Sequence, residues 1–176
     1  MYPEKIEVFP TGIRLRLATP AGCISFQVSL LGRLNIMNLI AVVTALLALE
    51  YSPAEIEQAM STLRPVPGRM ELVSKSDASV HVVVDYAHTP AALEHALDSL
   101  REHTPQRIWC VFGCGGERDP GKRSEMGAIA DRLADKIVLT NANPRGEDPL
   151  QILGEIESGI QSHNAVRIPD RREAID

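Results

Sequence analysis

A chain of 176 residues that is 44% hydrophobic has the length of one domain, or of one domain and a piece of another, and enough apolar side chains to build a core, which excludes general disorder. A formal net charge of −5, with three Phe, three Tyr and one Trp, argues against a nucleic-acid binder that would need cations and stacking surfaces. The longest apolar run, residues 39–49, is too short to cross a bilayer, and no basic stretch leads into an apolar signal core, so a cytoplasmic protein with neither nucleic acid nor membrane as partner is expected.

Residues 6–8, 13–17 and 24–28 are short β-rich runs punctuated by Pro10, Gly12, Pro20 and Gly22, the pattern of a small antiparallel meander. Such a meander is marginal without further partners. Over residues 35–50 the apolar positions recur at helical spacing and fill most of the circumference, which predicts a buried helix. Ser52-Pro53 caps a second helix running to about residue 63. Arg64-Pro65-Val66-Pro67-Gly68 breaks every period and reads as a connector, which divides the chain into residues 1–63 and 69–176.

Beyond the connector, strands over 71–74, 80–84, 108–112, 137–139 and 166–168 alternate with helices near 90–102, 122–134 and 149–160. Apart from the first pair of strands this is a βαβαβ series, an α/β fold with a mainly parallel sheet covered on both faces. A last helix opens at Arg171 after Pro169-Asp170, and the sequence stops within about two turns of it. A fragment of a longer protein is therefore expected. Cys23, Cys110 and Cys114 read as buried, reduced thiols.

Open α/β sheets bind ligands where strands end and helices begin, so the loops there carry the functional reading. In loop 140–149 Asn143 offers an amide and Arg145 a planar fork able to grip a carboxylate through two parallel hydrogen bonds, with Pro144 restricting the backbone between them. In loop 82–90 Asp85 either accepts the hydroxyls of a ribose or caps the following turn, and His88 either lines the ligand or makes a local bond. Loop 112–123 is rich in glycine, so its backbone N–H groups can approach an anion at a helix N-terminus. It is not a Walker A loop, because Arg123 stands where the Mg²⁺-binding Ser or Thr is required. Arg118 and Lys122 either meet carboxylate or phosphate groups or decorate a solvated loop. By themselves Asn35 reads as a helix N-cap and Arg69 as half of a surface ion pair.

Five segments stand together in order: Gly-Arg-Leu-Asn-Ile-Met-Asn at 32–38, Arg-Pro-Val-Pro-Gly-Arg-Met-Glu at 64–71, Asp-Tyr-Ala-His-Thr-Pro at 85–90, Phe-Gly-Cys-Gly-Gly-Glu-Arg-Asp at 112–119 and Asn-Pro-Arg at 143–145. In order and spacing they resemble the Mur ligases, in particular those that add meso-diaminopimelate to UDP-N-acetylmuramoyl-L-alanyl-D-glutamate in peptidoglycan synthesis. The resemblance implies that residues 1–63 are the end of a central ATPase domain and 69–176 most of a Rossmann-like C-terminal ligase domain. It further implies that Asn35 and Asn38 lie near the adenine of ATP, Arg69 near its phosphates and Asp85 on its ribose with His88 nearby, while Arg118, Asn143 and Arg145 hold diaminopimelate.

In that family ATP phosphorylates a substrate carboxylate and an amine attacks the acyl phosphate. No catalytic nucleophile and no metal ligand is therefore expected on this chain; the Mg²⁺ ligands and the phosphate loop are expected upstream, and the isolated chain is expected to be inactive. Ala142 stands where the family has an aspartate, Glu117 where it has a shorter acid and Pro120 where it has a base. Two alternatives are a lysine-adding ligase of the same family, which Arg145 opposes because lysine lacks the second carboxylate, and a non-catalytic binding module that keeps the fold.

Overall fold

The computed structural model describes residues 1–75 and 77–176. They form two compact units, Met1–Tyr86 with Glu102–Thr104, and Ala87–Arg101 with Pro105–Asp176.

The first unit opens with β1 (Tyr2–Phe9), β2 (Gly12–Thr19) and β3 (Gly22–Val28), an antiparallel sheet in that order. Strand alternation turns Ile13, Leu15, Leu17, Ile24, Phe26 and Val28 to one buried face and Arg14, Arg16, Ser25 and Gln27 to solvent. Helices α1 (Arg33–Ala48) and α2 (Pro53–Ser61) cover that face with Ile36, Leu39, Val43, Ile56 and Met60. The meander that is marginal alone thus gains a core from the helices that follow it.

Three expectations change here. Cys23 is exposed, because it falls on the outward register of β3, with Arg16 Nε 3.1 Å from its sulfur. Helix α1 is buried along one stripe only, and Leu34 and Met37 stay 64% and 65% exposed, since the sheet and α2 cover a single face. Asn35 is not its N-cap. Gly32 is, at φ 86°, and Asn35 Nδ2 donates back to the Leu31 carbonyl at 2.7 Å.

Helix α2 begins as expected, with Pro53 in its first turn. Ser52 and Glu55 form a reciprocal capping box in which the Glu55 carboxylate accepts from the Ser52 N–H at 2.8 Å. Also in this unit, buried His103 accepts from the Gly32 N–H at 2.9 Å on Nε2 and lies 2.8 Å from the Phe9 carbonyl through Nδ1. That pairing requires a neutral ring with its proton on Nδ1. After the 64–68 segment, β4 (Glu71–Leu72) and β5 (Val83–Val84) pair antiparallel, so the strand expected over 80–84 shrinks to two residues and joins β4.

The second unit contains most of α3 (Pro90–His103), then β6 (Trp109–Phe112), α4 (Gly121–Leu133), β7 (Lys136–Leu139), α5 (Pro149–Glu157) and β8 (Ala165–Arg167). Its strands are parallel, in the order β6-β7-β8. Cys110, Phe112, Ile137 and Leu139 form one core with Leu93, Leu97, Met126, Ile129, Ile152, Leu153 and Ile156 from the three helices. The intervening residues Trp109 and Val166 are 61% and 52% exposed. Between them on the same face, Val138 is 4% exposed and Val111 is half-buried. Residues 171–175 form a single turn whose start is capped by Asp170, with Oδ1 accepting from the Arg172 and Glu173 N–H groups. Among the described residues no helix is long and apolar enough to cross a membrane.

Helices α4 and α5 meet backbone to backbone at Gly127, where an added Cβ would stand 2.1 Å from the Ile156 carbonyl oxygen. Gly127→Ala should destabilise the protein by about 1–3 kcal/mol through overpacking, read as a lowered urea midpoint; an unchanged midpoint would mean that the helices separate without strain. Burial raises the Cys114 thiol and pushes Cys110 up to about 12. Native protein should accordingly react with a disulfide reagent at Cys23 first, with the other two of its three free thiols reacting only on denaturation.

Candidate ligand site at the sheet edge

Two loops leave the carboxyl ends of β6 and β7, residues 113–120 leading into α4 and 140–148 leading into α5. They are laced together. Thr140 N–H donates to the Phe112 carbonyl at 3.0 Å, Gly116 N–H to the Asn143 carbonyl at 2.8 Å, Arg145 Nη1 to the Gly116 carbonyl at 2.6 Å and Gly146 N–H to the Glu117 carboxylate at 3.2 Å. Glycine is required at this seam, since a Cβ on Gly113 would lie 1.9 Å from the Thr140 oxygen and one on Gly116 1.9 Å from the Pro144 oxygen.

The seam brings three of the expected residues to one spot. A Cβ placed on Gly115 would stand 3.0 Å from Arg145 Nη1, 3.5 Å from the Asn143 carbonyl oxygen and 4.0 Å from Arg118 Cγ. All three side chains are exposed, and among the described residues neither arginine has a carboxylate partner. Arg145 Nη1 is engaged by the loop, and among the described residues no hydrogen-bond partner meets its Nε or Nη2. The arrangement is a small cationic patch beside the exposed Asn143, suited to an organic anion.

The glycine loop is not the open cradle of amides expected from its composition. Gly116 N–H is taken by Asn143, Glu117 N–H by the Glu147 carboxylate and Gly121 N–H by Asp119 at 2.9 Å. Lys122 Nζ donates to the His88 carbonyl at 2.9 Å, so it too is engaged locally.

Sequence reasoning overlooked Arg123, which it used only to reject a Walker A loop. This side chain is 1% exposed. Nη1 and Nη2 grip the Glu147 carboxylate at 2.8 and 3.0 Å, and Nη1 also meets Glu155 at 2.7 Å. Nε has no partner. The available signal was a second basic residue in the first turn of a helix, where the backbone dipole disfavours a cation unless carboxylates compensate it. Glu147 lies below its ordinary 4.5, held there by Arg123 and then by the Glu117 N–H; Glu155 is lowered by Gln151 and Arg123.

The remaining residues lie elsewhere. In the first unit Asn35 and Asn38 share the start of α1, with Asn38 Nδ2 donating to Asn35 Oδ1 at 3.2 Å. Among the described residues Arg69 forms no ion pair; its guanidinium lies over the Tyr86 ring, 4.5 Å from the centroid. Asp85 Oδ2 accepts from the Met70 N–H at 2.9 Å, bracing the β4–β5 pair. His88 belongs to the second unit.

Residues 68–176 match the family model of the Mur ligase, glutamate ligase domain. The chain belongs to the Mur ligase family. Among its Mur ligase relatives, the UDP-N-acetylmuramoyl-L-alanyl-D-glutamate--2,6-diaminopimelate ligase of Coxiella burnetii is 48% identical over 171 residues, which cover 97% of this chain and 35% of that protein. The ligase of the same name from Geobacillus thermodenitrificans is 44% identical, covering 98% and 35%. The chain thus spans about a third of the length of the curated relatives it matches.

A solved structure of such a diaminopimelate ligase is 38% identical and superposes with a TM-score of 0.75 over 99% of this chain and 36% of its own. The same fold recurs at 20% identity in folylpolyglutamate synthase of Mycobacterium tuberculosis complexed with ADP, with a TM-score of 0.75 over 99% of this chain and 39% of that one. The α/β architecture expected from the sequence is therefore the one found in these Mur ligase relatives.

The carboxylates of the second unit give it an acid limb. Besides Glu147 and Glu155, Asp135 is lowered by the Arg101 guanidinium and the Ile108 N–H. A group whose folded pKa is depressed contributes stability above its unfolded value and loses it as pH falls through the folded one. The urea midpoint should hold from neutral pH down to the ordinary glutamate value of 4.5 and decline below it; a midpoint still level at about pH 3 would refute the pairing.

Proposed function

We propose that this chain is part of an ATP-dependent ligase that adds meso-diaminopimelate to UDP-N-acetylmuramoyl-L-alanyl-D-glutamate in the cytoplasm during peptidoglycan synthesis. The observation that carries the reading is the convergence of Arg118, Asn143 and Arg145 around Gly115, in a chain 48% identical to a protein named for that reaction. Two guanidinium groups without carboxylate partners suit an amino acid that bears two carboxylates, as meso-diaminopimelate does. L-Lysine bears one and would leave a cation unmatched.

In the proposed reaction the γ-phosphoryl group of ATP passes to the substrate carboxylate, giving an acyl phosphate and ADP. The diaminopimelate amine then attacks the acyl carbon. The amide C–N bond forms, the C–O bond to phosphate breaks, and inorganic phosphate and a proton leave. The residues of the loop seam bind and orient the amine-bearing substrate, which raises its effective concentration at the acyl phosphate without a protein nucleophile.

The nucleotide reading assigns Asn35 and Asn38 to the adenine, Arg69 to the phosphates, and Asp85 with His88 to the ribose. Its support is chemical: Arg69 has no carboxylate partner among the described residues and is braced on Tyr86, while Asp85 is fixed by Met70 N–H. Residues 1–63 are assigned to the end of the ATPase domain, 64–68 to the connector and 69–176 to the ligase domain. The ligands of the Mg²⁺ that accompanies ATP are assigned, by family resemblance, to the part of the ligase upstream of this chain. With no Walker A loop in its sequence, the chain alone is expected to form no amide.

Calorimetric titration of the chain with meso-diaminopimelate, against L-lysine, tests the pocket directly. Heat of binding with the first alone is expected, and binding of L-lysine with equal affinity would overturn the substrate assignment. In the full-length ligase Arg145→Ala should raise the KM for meso-diaminopimelate roughly tenfold or more, because a charge-assisted contact is lost; unchanged selectivity would count against the role given to Arg145.

A further inference from the structure

Arg123 is too deeply buried to touch a substrate, yet its contacts lead to the residues that do. We infer that Arg123 and Glu147 together are positioning residues for the amino-acid pocket, setting where Arg145 and Asn143 stand. This inference rests on the function proposed above.

The chain of contacts is short. Arg123, in the first turn of α4, holds the Glu147 carboxylate with two N–H groups, and the same carboxylate accepts from the Glu117 N–H of the other loop. Glu147 also closes the turn that contains Arg145, its own N–H donating to the Pro144 carbonyl at 3.0 Å. Within that turn Arg145 has φ 52°, and across the seam Glu117 also has φ 52°. Left-handed backbone at residues other than glycine persists only where its surroundings over-determine it. Here the surroundings are the Glu147 carboxylate and the seam bonds at Gly116 and Gly146. Without the carboxylate, the left-handed turns at Glu117 and Arg145 lose the contact that joins them to Arg123 and keep only the seam bonds. The Arg145 guanidinium is then held less firmly at the Gly116 carbonyl and above Gly115.

Glu155 provides the contrast. It lies on α5 and meets Arg123 and Gln151, and neither of its bonds reaches the loops. If Arg123 served only to neutralise buried charge, the two glutamates would be interchangeable. If it positions the pocket, they are not.

The test compares E147Q and E155Q in the full-length ligase. E147Q is expected to raise the KM for meso-diaminopimelate roughly tenfold or more, with the KM for ATP and kcat within about twofold of wild type, as misplacement of a binding group predicts. E155Q should lower the melting temperature while leaving both KM values in place. Equal KM shifts in the two variants, or none in E147Q, would overturn the inference. Should E147Q not fold, R123K keeps the buried charge and loses the two-pronged grip, and the same split between the two KM values is expected of it. A wild-type enzyme that accepts L-lysine and not meso-diaminopimelate would refute the proposed substrate; the same comparison made with L-lysine would then decide the role of Arg123.

Discussion

The second unit depends on the burial of one guanidinium. Removing an arginine from water is unfavourable by several kcal/mol unless its donors find acceptors, and Arg123 finds them in carboxylates contributed by a loop and by α5. That requirement fixes the distance between α4 and the 140–148 loop. Hydrophobic packing alone would not do so, because apolar contacts tolerate sliding in a way that a two-pronged ion pair does not. Removing both carboxylates while keeping Arg123 would be more damaging than removing one, since only then does the buried charge lose all compensation.

Around that anchor the chemistry of the site is economical. The loops use their own backbone amides to hold each other, and the groups left facing outward are the guanidiniums of Arg118 and Arg145 and the amide of Asn143. A glycine-rich loop beside a helix N-terminus is ordinarily read as a phosphate cradle. Here the glycines at 113 and 116 serve close approach of two loops, with Arg118 and Arg145 exposed beside them.

The first unit shows the same division between an inner and an outer role. Its sheet turns one face to α1 and α2, and the opposite side of α1 leaves Leu34 and Met37 in solvent. In the parallel sheet of the second unit, Trp109 and Val166 are left exposed in the same way. For α1 this follows from covering a two-sided element from one side; in the parallel sheet Val138, on the same face as Trp109 and Val166, is 4% exposed.

Much of this was legible in the sequence. Alternation at residues 13–17 and 24–28, the Ser52-Pro53 cap, and the strand and helix periods from residue 108 onward each depend on neighbours close in the chain, and these elements formed within a few residues of their expected bounds. The loops at the strand ends, and Arg118, Asn143 and Arg145 within them, followed from residue chemistry and family resemblance. What the sequence could not settle was which side of each element would be covered. Periodicity describes an element's own faces, whereas burial depends on what packs against it, so α1 and Cys23 were misjudged. Arg123 was missed for the same reason: a basic residue in a helical first turn looks solvated until the fold brings Glu147 and Glu155 to it. Local propensity determined the elements and the residue types at the site. The tertiary structure alone decided which charge would be buried, because that is set by contacts between residues far apart in the chain.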